Sequence, residues 1–76
     1  MKNLLAEIAK QLVDYPEQVK VNEIGSSHTS VLELSVAKSD VGKIIGAKGR
    51  NIAAIRAIMV AASGKIHKRI IVEVIE

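Results

Sequence analysis

Cysteine, phenylalanine and tryptophan are absent from the 76-residue sequence, and Tyr15 is its only aromatic residue. Without cysteine, the chain has no disulfide framework and no thiolate chemistry. Without other aromatic residues, the core must be built from aliphatic side chains, which supply most of the 49% of the sequence that is hydrophobic. That fraction is typical of a folding chain, and the length predicts a single domain over residues 1–76.

Long hydrophobic runs are also missing. No apolar run reaches the roughly 18–20 residues that span a bilayer. The N-terminal segment carries Glu7, Lys10 and Asp14 inside its apolar pattern, which is unlike a signal peptide. We therefore expect no membrane insertion and a cytoplasmic location.

The sequence lacks the residue patterns of catalytic and metal sites. His28 and His67 have no histidine or cysteine near them at ligand spacing. The serines have no visible base and orienting group. The segment "GKIIGAKG" is not a P-loop, because Ala47 stands where the second glycine of that motif belongs. We expect neither an enzyme nor a protein that binds a metal or a cofactor.

Charge is distributed unevenly along the chain. The net charge is −2 over residues 1–37 and +5 over residues 38–76. Between Val41 and Val72 there are seven Lys or Arg residues and no acidic residue. This asymmetry predicts a polyanionic partner for the basic half. A solvated cationic surface is the alternative interpretation.

Apolar spacing predicts the element order α-β-β-α-α-β. Ser39 and Asp40 have the side chains of helix N-caps ahead of "VGKII". The last segment, residues 65–76, is β-branched and places Ile66, Ile70, Val72 and Val74 on one face, with His67 on the same strand. The predicted elements are a helix over 2–14, strands within 17–24 and 31–37, a short helix after Asp40, a helix over 50–62 and a strand within 65–76.

The two strands nearest the N-terminus predict a hairpin, because the polar segment "GSSHTS" between them suits a turn. The later strand follows a helical crossover, so it should lie parallel to its neighbour. The prediction is an α+β domain with a three-stranded mixed sheet and helices on one face.

A glycine-framed turn interrupts the two central helices in "KIIGAKGRNIAAIR". Gly46 and Gly49 have no Cβ, so the backbone between them can approach a bulky ligand closely. The helix that starts near Arg50 should present unpaired N–H groups and the positive end of its dipole, and Lys43 and Lys48 add positive charge. The turn therefore predicts a phosphate contact. A tight turn with ordinary surface lysines remains the alternative.

These residues resemble the signature of the KH domain, in which an aliphatic pair precedes Gly-x-x-Gly and further aliphatic residues follow at fixed spacing. The element order is similar to the bacterial type II arrangement, and the whole chain resembles the small KhpA family of bacterial RNA-binding proteins. The resemblance implies that the turn clamps single-stranded RNA and that bases lie in a groove between the helices and the sheet edge. The implied RNA-binding residues are Lys43, Ile44, Ile45, Gly46, Ala47, Lys48, Gly49, Arg50 and Ile52.

The long central helix is apolar on every side, since Arg56 is the only polar residue between Ile52 and Ala62. Ile52, Ile55, Met59 and Ala62 should face the sheet. A helix that is apolar all round needs cover on its outer side as well, which a chain of this size cannot supply alone. We predict a dimer interface on that outer side, although alanines that only favour helix formation are the alternative. The interface residues are Ala54, Ala57, Ile58 and Ala61.

Two functions follow. The leading one is an RNA-binding protein, acting as an RNA chaperone or post-transcriptional regulator. The alternative is an adaptor that dimerises through the Ala-rich helix and leaves RNA contact to its partner. The KhpA resemblance implies self-association, pairing with a second KH protein of the KhpB (Jag) type, and a link to bacterial cell-wall synthesis and cell shape.

Overall fold

The computed structural model describes residues 1–64 and 66–76. It has the predicted order α-β-β-α-α-β, with short 3₁₀ turns between some elements. The main elements are α1 (Lys2–Leu12), β1 (Lys20–Gly25), β2 (Thr29–Ser35), α2 (Val41–Ile45), α3 (Arg50–Ser63) and β3 (Arg69–Ile75).

The three strands form one mixed sheet in the order β1-β2-β3. β1 and β2 pair antiparallel, with Val21 opposite Leu34, and β2 and β3 pair parallel, with Leu32 beside Val72. The predicted hairpin and the predicted parallel pair are both present. Burial alternates along β2, where Ser30, Leu32 and Leu34 are fully buried and their neighbours are partly exposed. One face of the sheet is therefore covered by helices and the other is open.

The hydrophobic cluster between the sheet and the helices is aliphatic, apart from the thioether of Met59. Apolar residues recur every three or four positions along α1 and α3, so each helix has one apolar side that packs on the sheet. The buried cluster consists of Leu5, Ala9, Leu32, Leu34, Ile44, Ile52, Ile55, Met59, Ile70 and Val72.

One expectation about which side chains face the sheet is wrong. Ala62 is exposed, and Ser63, one residue further along α3, is buried instead. The Ser63 hydroxyl donates to the Val60 carbonyl at 2.8 Å, which satisfies its polar atom inside the core. Because α3 continues to Ser63, its last buried position falls four residues after Met59.

The start of the last strand is also later than predicted. β3 begins at Arg69, and Ile66 is 51% exposed rather than on the buried face. His67 lies in the preceding turn with φ of +53°, a conformation that a strand residue does not adopt. Lys65, which the strand was predicted to include, lies outside the described residues.

Asp40 does not act as the helix cap that its position predicts. α2 begins directly after it, but no side-chain hydrogen bond caps the helix. The Asp40 side chain is fully buried, and its two oxygens accept hydrogen bonds from the N–H groups of Asp14 at 3.2 Å and Tyr15 at 3.1 Å. The carboxylate thus joins the segment after α1 to the start of α2.

Lys43 completes this arrangement. Its ammonium lies 3.4 Å from Asp40 Oδ1 and 3.0 Å from Asp14 Oδ2. Burial alone would raise the pKa of Asp40, but the hydrogen bonds from Asp14, Tyr15 and Lys43 outweigh it and hold that pKa below its usual value. Hydrogen bonding and ion pairing with Asp14 raise the pKa of Lys43. In the described part of the chain, no buried side-chain nitrogen or oxygen lacks a partner.

Among the described residues, no helix combines the length and the apolar character that crossing a membrane requires.

The substitution Asp40→Asn should lower the thermal midpoint by roughly 5–15 °C, because an amide cannot accept both backbone N–H groups and leaves a buried polar group unsatisfied. Asp14→Asn is the matched control, since it removes only an exposed ion pair and should shift the midpoint by a few degrees at most. Thermal unfolding followed by circular dichroism measures both.

The same comparison has a defined pH dependence. A carboxyl group with a depressed pKa in the folded state contributes stability above its unfolded pKa and loses that contribution as the pH falls through the folded pKa. The difference in thermal midpoint between wild type and Asp40→Asn should therefore have its full size above about pH 4 and become smaller at lower pH. A gap that is small at neutral pH, or that widens in acid, would contradict this assignment.

Candidate nucleic-acid interface

The turn between α2 and α3 has a backbone that only particular residues can adopt. Gly46 has φ of +75° and ψ of +171°, and Gly49 has φ of +74° and ψ of +18°. Lys48 lies between them in the left-handed region, with φ of +57°. The region of Gly46 is accessible almost only to glycine, whereas Asn or Asp can also occupy the region of Lys48 and Gly49. The predicted break between two helices is therefore present, and its geometry is specific.

The two glycines are required for different reasons. A Cβ added at Gly46 would lie 2.6 Å from Cγ of Asn51, whereas a Cβ at Gly49 would meet no atom closer than 4.0 Å. Asn51 fills this space because its side-chain amide donates to the Lys43 carbonyl at 2.8 Å, which ties α3 back to α2. Gly46 thus provides room for that contact, and Gly49 provides only its backbone conformation.

Some of the backbone donors that were expected at the start of α3 are already used. The Gly49 N–H donates to the Gly46 carbonyl at 3.1 Å, and the Arg50 N–H donates to the Ala47 carbonyl. The exposed part of the turn is the segment Ala47–Lys48, whose side chains both face solvent. A ligand would reach the turn through this segment and through the exposed Arg50.

The three cations near the turn have different surroundings. Lys43 is paired with Asp14 and Asp40, so much of its charge is neutralised within the fold. Lys48 and Arg50 are exposed, and neither forms an ion pair with any described residue. An incoming anion would therefore meet the positive charge of Lys48 and Arg50 more strongly than that of Lys43.

The three isoleucines that were expected to contact bases are not equally available. Ile44 is fully buried and Ile52 is 8% exposed, and both side chains belong to the core. Ile45 is partly exposed and packs against the edge of that core. Of the three, Ile45 alone offers apolar surface at the base of the turn.

A groove runs between α3 and β3, and most of its lining lies outside the site residues that the sequence predicts. Its volume is about 610 Å³. Arg56 crosses it: Nε and Nη2 of its guanidinium donate to the Val72 carbonyl at 3.4 Å and 3.1 Å. The lining residues are Arg56, Val60 and Ser63 on α3, Lys68 just before β3, and Arg69, Ile70, Ile71, Val72 and Glu73 on β3.

A sequence signal for this groove exists. Arg56 is the only polar residue within an eleven-residue apolar stretch of α3, and Lys68 and Arg69 belong to the basic half of the chain. The pairing of an α3 residue with β3 depends on the packing of the helix on the sheet, which local patterns do not reveal. The expectation of a groove between the helices and the sheet edge agrees with this geometry.

The outer side of α3 is exposed, as expected for an uncovered face. Ala54, Ala57 and Ala61 are exposed, and Ile58 is 47% exposed. Val60, which is 59% exposed, lines the groove instead of the centre of this face. α3 therefore presents a buried side, a groove side and an apolar outer side.

Comparison with known proteins identifies similar sequences over nearly the whole chain. A family model described as KhpA/KhpB, KH domain, matches residues 2–74. The RNA-binding protein KhpA of Chlamydia pneumoniae is 49% identical over 76 residues, which cover 100% of this chain and 97% of that protein. The RNA-binding protein KhpA of Clostridium acetobutylicum is 49% identical over 75 residues, covering 99% of this chain and all of that protein. No solved structure matches the chain.

Replacing the glycines with alanine should separate their roles. Gly49→Ala should cost about 1–2 kcal/mol from its positive φ alone, whereas Gly46→Ala should cost more, about 2–4 kcal/mol, because strain and the overlap with Asn51 add together. Urea denaturation followed by circular dichroism measures both values.

Gly42→Ala is the matched control. Gly42 lies inside α2, and a Cβ there would meet no atom within 4 Å, so the substitution should be neutral or stabilising. Equal losses for Gly46→Ala and Gly49→Ala would show that the space beside Asn51 is not a constraint.

Proposed function

The chain belongs to the KhpA/KhpB family of KH domains, and from that premise we propose that it binds single-stranded RNA with the Gly46–Gly49 turn holding the sugar–phosphate backbone. The observation that carries this proposal is the exposed turn itself. Positive φ angles at Gly46, Lys48 and Gly49 shape the turn, and Ala47 and Lys48 are exposed in it. Arg50, the first residue of α3, is exposed next to the turn. Relatives that are 45–49% identical are named as RNA-binding proteins.

The physical support comes from charge and shape together. Phosphate contact favours a backbone without bulky side chains, and Gly46, Ala47 and Gly49 provide one. Lys48 and Arg50 supply unpaired positive charge at the same point, and Ile45 supplies apolar surface beside it. The groove between α3 and β3, which is lined on α3 by Arg56, Val60 and Ser63, offers space for bases. The role proposed here is binding, without catalysis.

By family resemblance, we also propose that the protein uses this binding to act as an RNA chaperone or a post-transcriptional regulator in the cytoplasm. The same resemblance is the basis for proposing a second KH protein of the KhpB (Jag) type as a partner and a contribution to cell-wall homeostasis and cell shape.

The double substitution Ala47→Asp/Lys48→Asp should abolish RNA retention, because it replaces a neutral and a positive side chain at the phosphate contact with two negative ones. Fluorescence polarisation with a labelled, unstructured RNA measures the affinity. For wild type, a contact with about three phosphates predicts a slope of roughly −2 for log K against log[salt].

Lys10→Asp is a suitable control, since Lys10 is an exposed cation on α1 and does not belong to the turn. Circular dichroism establishes that each variant is folded. Equal RNA binding by wild type and the double variant would move the RNA site away from the turn, with Lys68 and Arg69 at the groove as the next candidates.

A second candidate function is supported by the outer side of α3. We propose that Ala54, Ala57, Ile58 and Ala61 form a dimer interface, because small side chains let two helices approach closely and Ile58 would leave water on association. Two linked domains would also raise the effective concentration of one RNA site for a strand already held by the other. In the adaptor form of this proposal, the partner supplies most of the RNA contact.

Ile58→Glu should weaken self-association at least tenfold, since it places a charge at the centre of an apolar contact. Sedimentation equilibrium measures the dissociation constant. Ile24→Glu adds the same charge at a residue that is 53% exposed on β1, and it should leave association unchanged. A wild-type chain that stays monomeric at every concentration would contradict the proposed interface.

A further inference from the structure

Arg56 is positioned to do more than stabilise the fold. It is exposed, it lies on the groove side of α3, and its guanidinium reaches across to the Val72 carbonyl on β3. That contact uses the Nε–H and one N–H of Nη2. Arginine carries five N–H donors in a planar fork, so the edge formed by Nη1 and the second N–H of Nη2 remains available. Arg56 has no carboxylate partner among the residues that the structure describes.

The contact with Val72 also restricts the guanidinium. A long side chain loses rotational freedom when it binds a ligand, and this loss lowers affinity. Arg56 has already lost part of that freedom because two of its donors share one backbone oxygen. Its remaining donor edge is therefore held in one orientation beside the apolar surface of Val60 and Ile70.

The groove lies at a suitable distance from the turn for one strand to reach both. Arg56 is six residues after Arg50, which corresponds to about 9 Å along a helix. A strand that is held at Gly46–Gly49 and runs along α3 would bring a following base over the groove. Lys68 and Arg69 on the opposite wall are positive and, with Arg56, outnumber the single acidic lining residue, Glu73, so the net charge of the groove complements a nucleic acid.

We propose that Arg56 is a specificity-determining residue, which selects a base that presents two adjacent hydrogen-bond acceptors to its guanidinium. Guanine has such a pair at N7 and O6, and cytosine has one at N3 and O2. In adenine and uracil, every ring or carbonyl acceptor on the readable edges has an N–H or C–H group next to it. This proposal rests on the proposed RNA binding, and it adds a preference for guanine or cytosine over adenine and uracil at one position.

The test compares four labelled octamers: oligo(U), and oligo(U) with its two central residues replaced by guanine, cytosine or adenine. Fluorescence polarisation gives the affinity of wild type and of Arg56→Lys for each RNA. Wild type should bind the guanine or the cytosine RNA at least about fivefold more tightly than the other two, the low end for one bidentate pair. The result for guanine against cytosine identifies which acceptor pair is read.

Arg56→Lys keeps the charge but loses the planar fork, so the variant should bind the guanine and cytosine RNAs no more tightly than it binds oligo(U). Arg50→Lys is the matched control: it alters a cation at the turn, and it should change the affinity for all four RNAs by the same factor and leave the preference intact. The ratio between RNAs is the decisive quantity, because a purely structural role of Arg56 would change all four affinities together.

Three results would overturn the inference while the proposed function stands: equal binding of all four RNAs by wild type, a preference for adenine or uracil, or a preference that Arg56→Lys retains. Failure of folded wild type to bind any of the four RNAs would overturn the proposed function and this inference with it. Circular dichroism confirms the fold of each variant, and the wild-type comparison decides the base preference even where a variant is unstable.

Discussion

The buried carboxylate of Asp40 determines where the two halves of the chain meet. Its oxygens accept the N–H groups of Asp14 and Tyr15, at the point where α1 has ended and Pro16 prevents its continuation. Backbone N–H groups in such a position need a partner when they are removed from water. Because Asp40 directly precedes α2, one side chain supplies that partner and fixes the start of α2 against the end of α1. Lys43 balances the buried charge.

This constraint matters for the turn because α2 has only five residues. A helix of that length is not stable by itself, so its position is determined by contacts at its ends and along one side. Asp40 holds its first end, the buried Ile44 holds its side, and Asn51 donates to the Lys43 carbonyl near its last turn. The exposed Ala47–Lys48 segment therefore projects from a helix that is fixed at both ends. A loop held in this way can meet a ligand without a large ordering cost.

Local patterns in the sequence predict much of this structure, and contacts between distant residues account for what they miss. Element order, the hairpin and the aliphatic core follow from periodicity, and the turn follows from Gly46 and Gly49. Asp40 has the local features of a helix cap, but its hydrogen-bond partners are 25 and 26 residues away, so its role depends on packing. Arg56 was visible as an isolated polar residue, yet only the packing of α3 on β3 brings it to Val72. Local patterns also fail at His67, because the β-branched residues of the last segment predict a strand where the chain makes a turn.

The three sides of α3 bear on whether RNA and a second chain compete. Successive residues of a helix are about 100° apart, so Arg56 and Val60 lie within roughly 40° of each other. Ala57 lies about 100° from Arg56, and Ala61 lies about 100° from Val60 in the same direction. The groove side faces β3, and the outer side faces away from the sheet. A base held by the groove and a helix packed on Ala57 and Ala61 would then occupy different surfaces. The boundary between the two surfaces is formed by Val60 and by Ala53, which lies at a similar angle around the helix. An RNA that extended past Val60 would therefore contact a partner bound on the outer side.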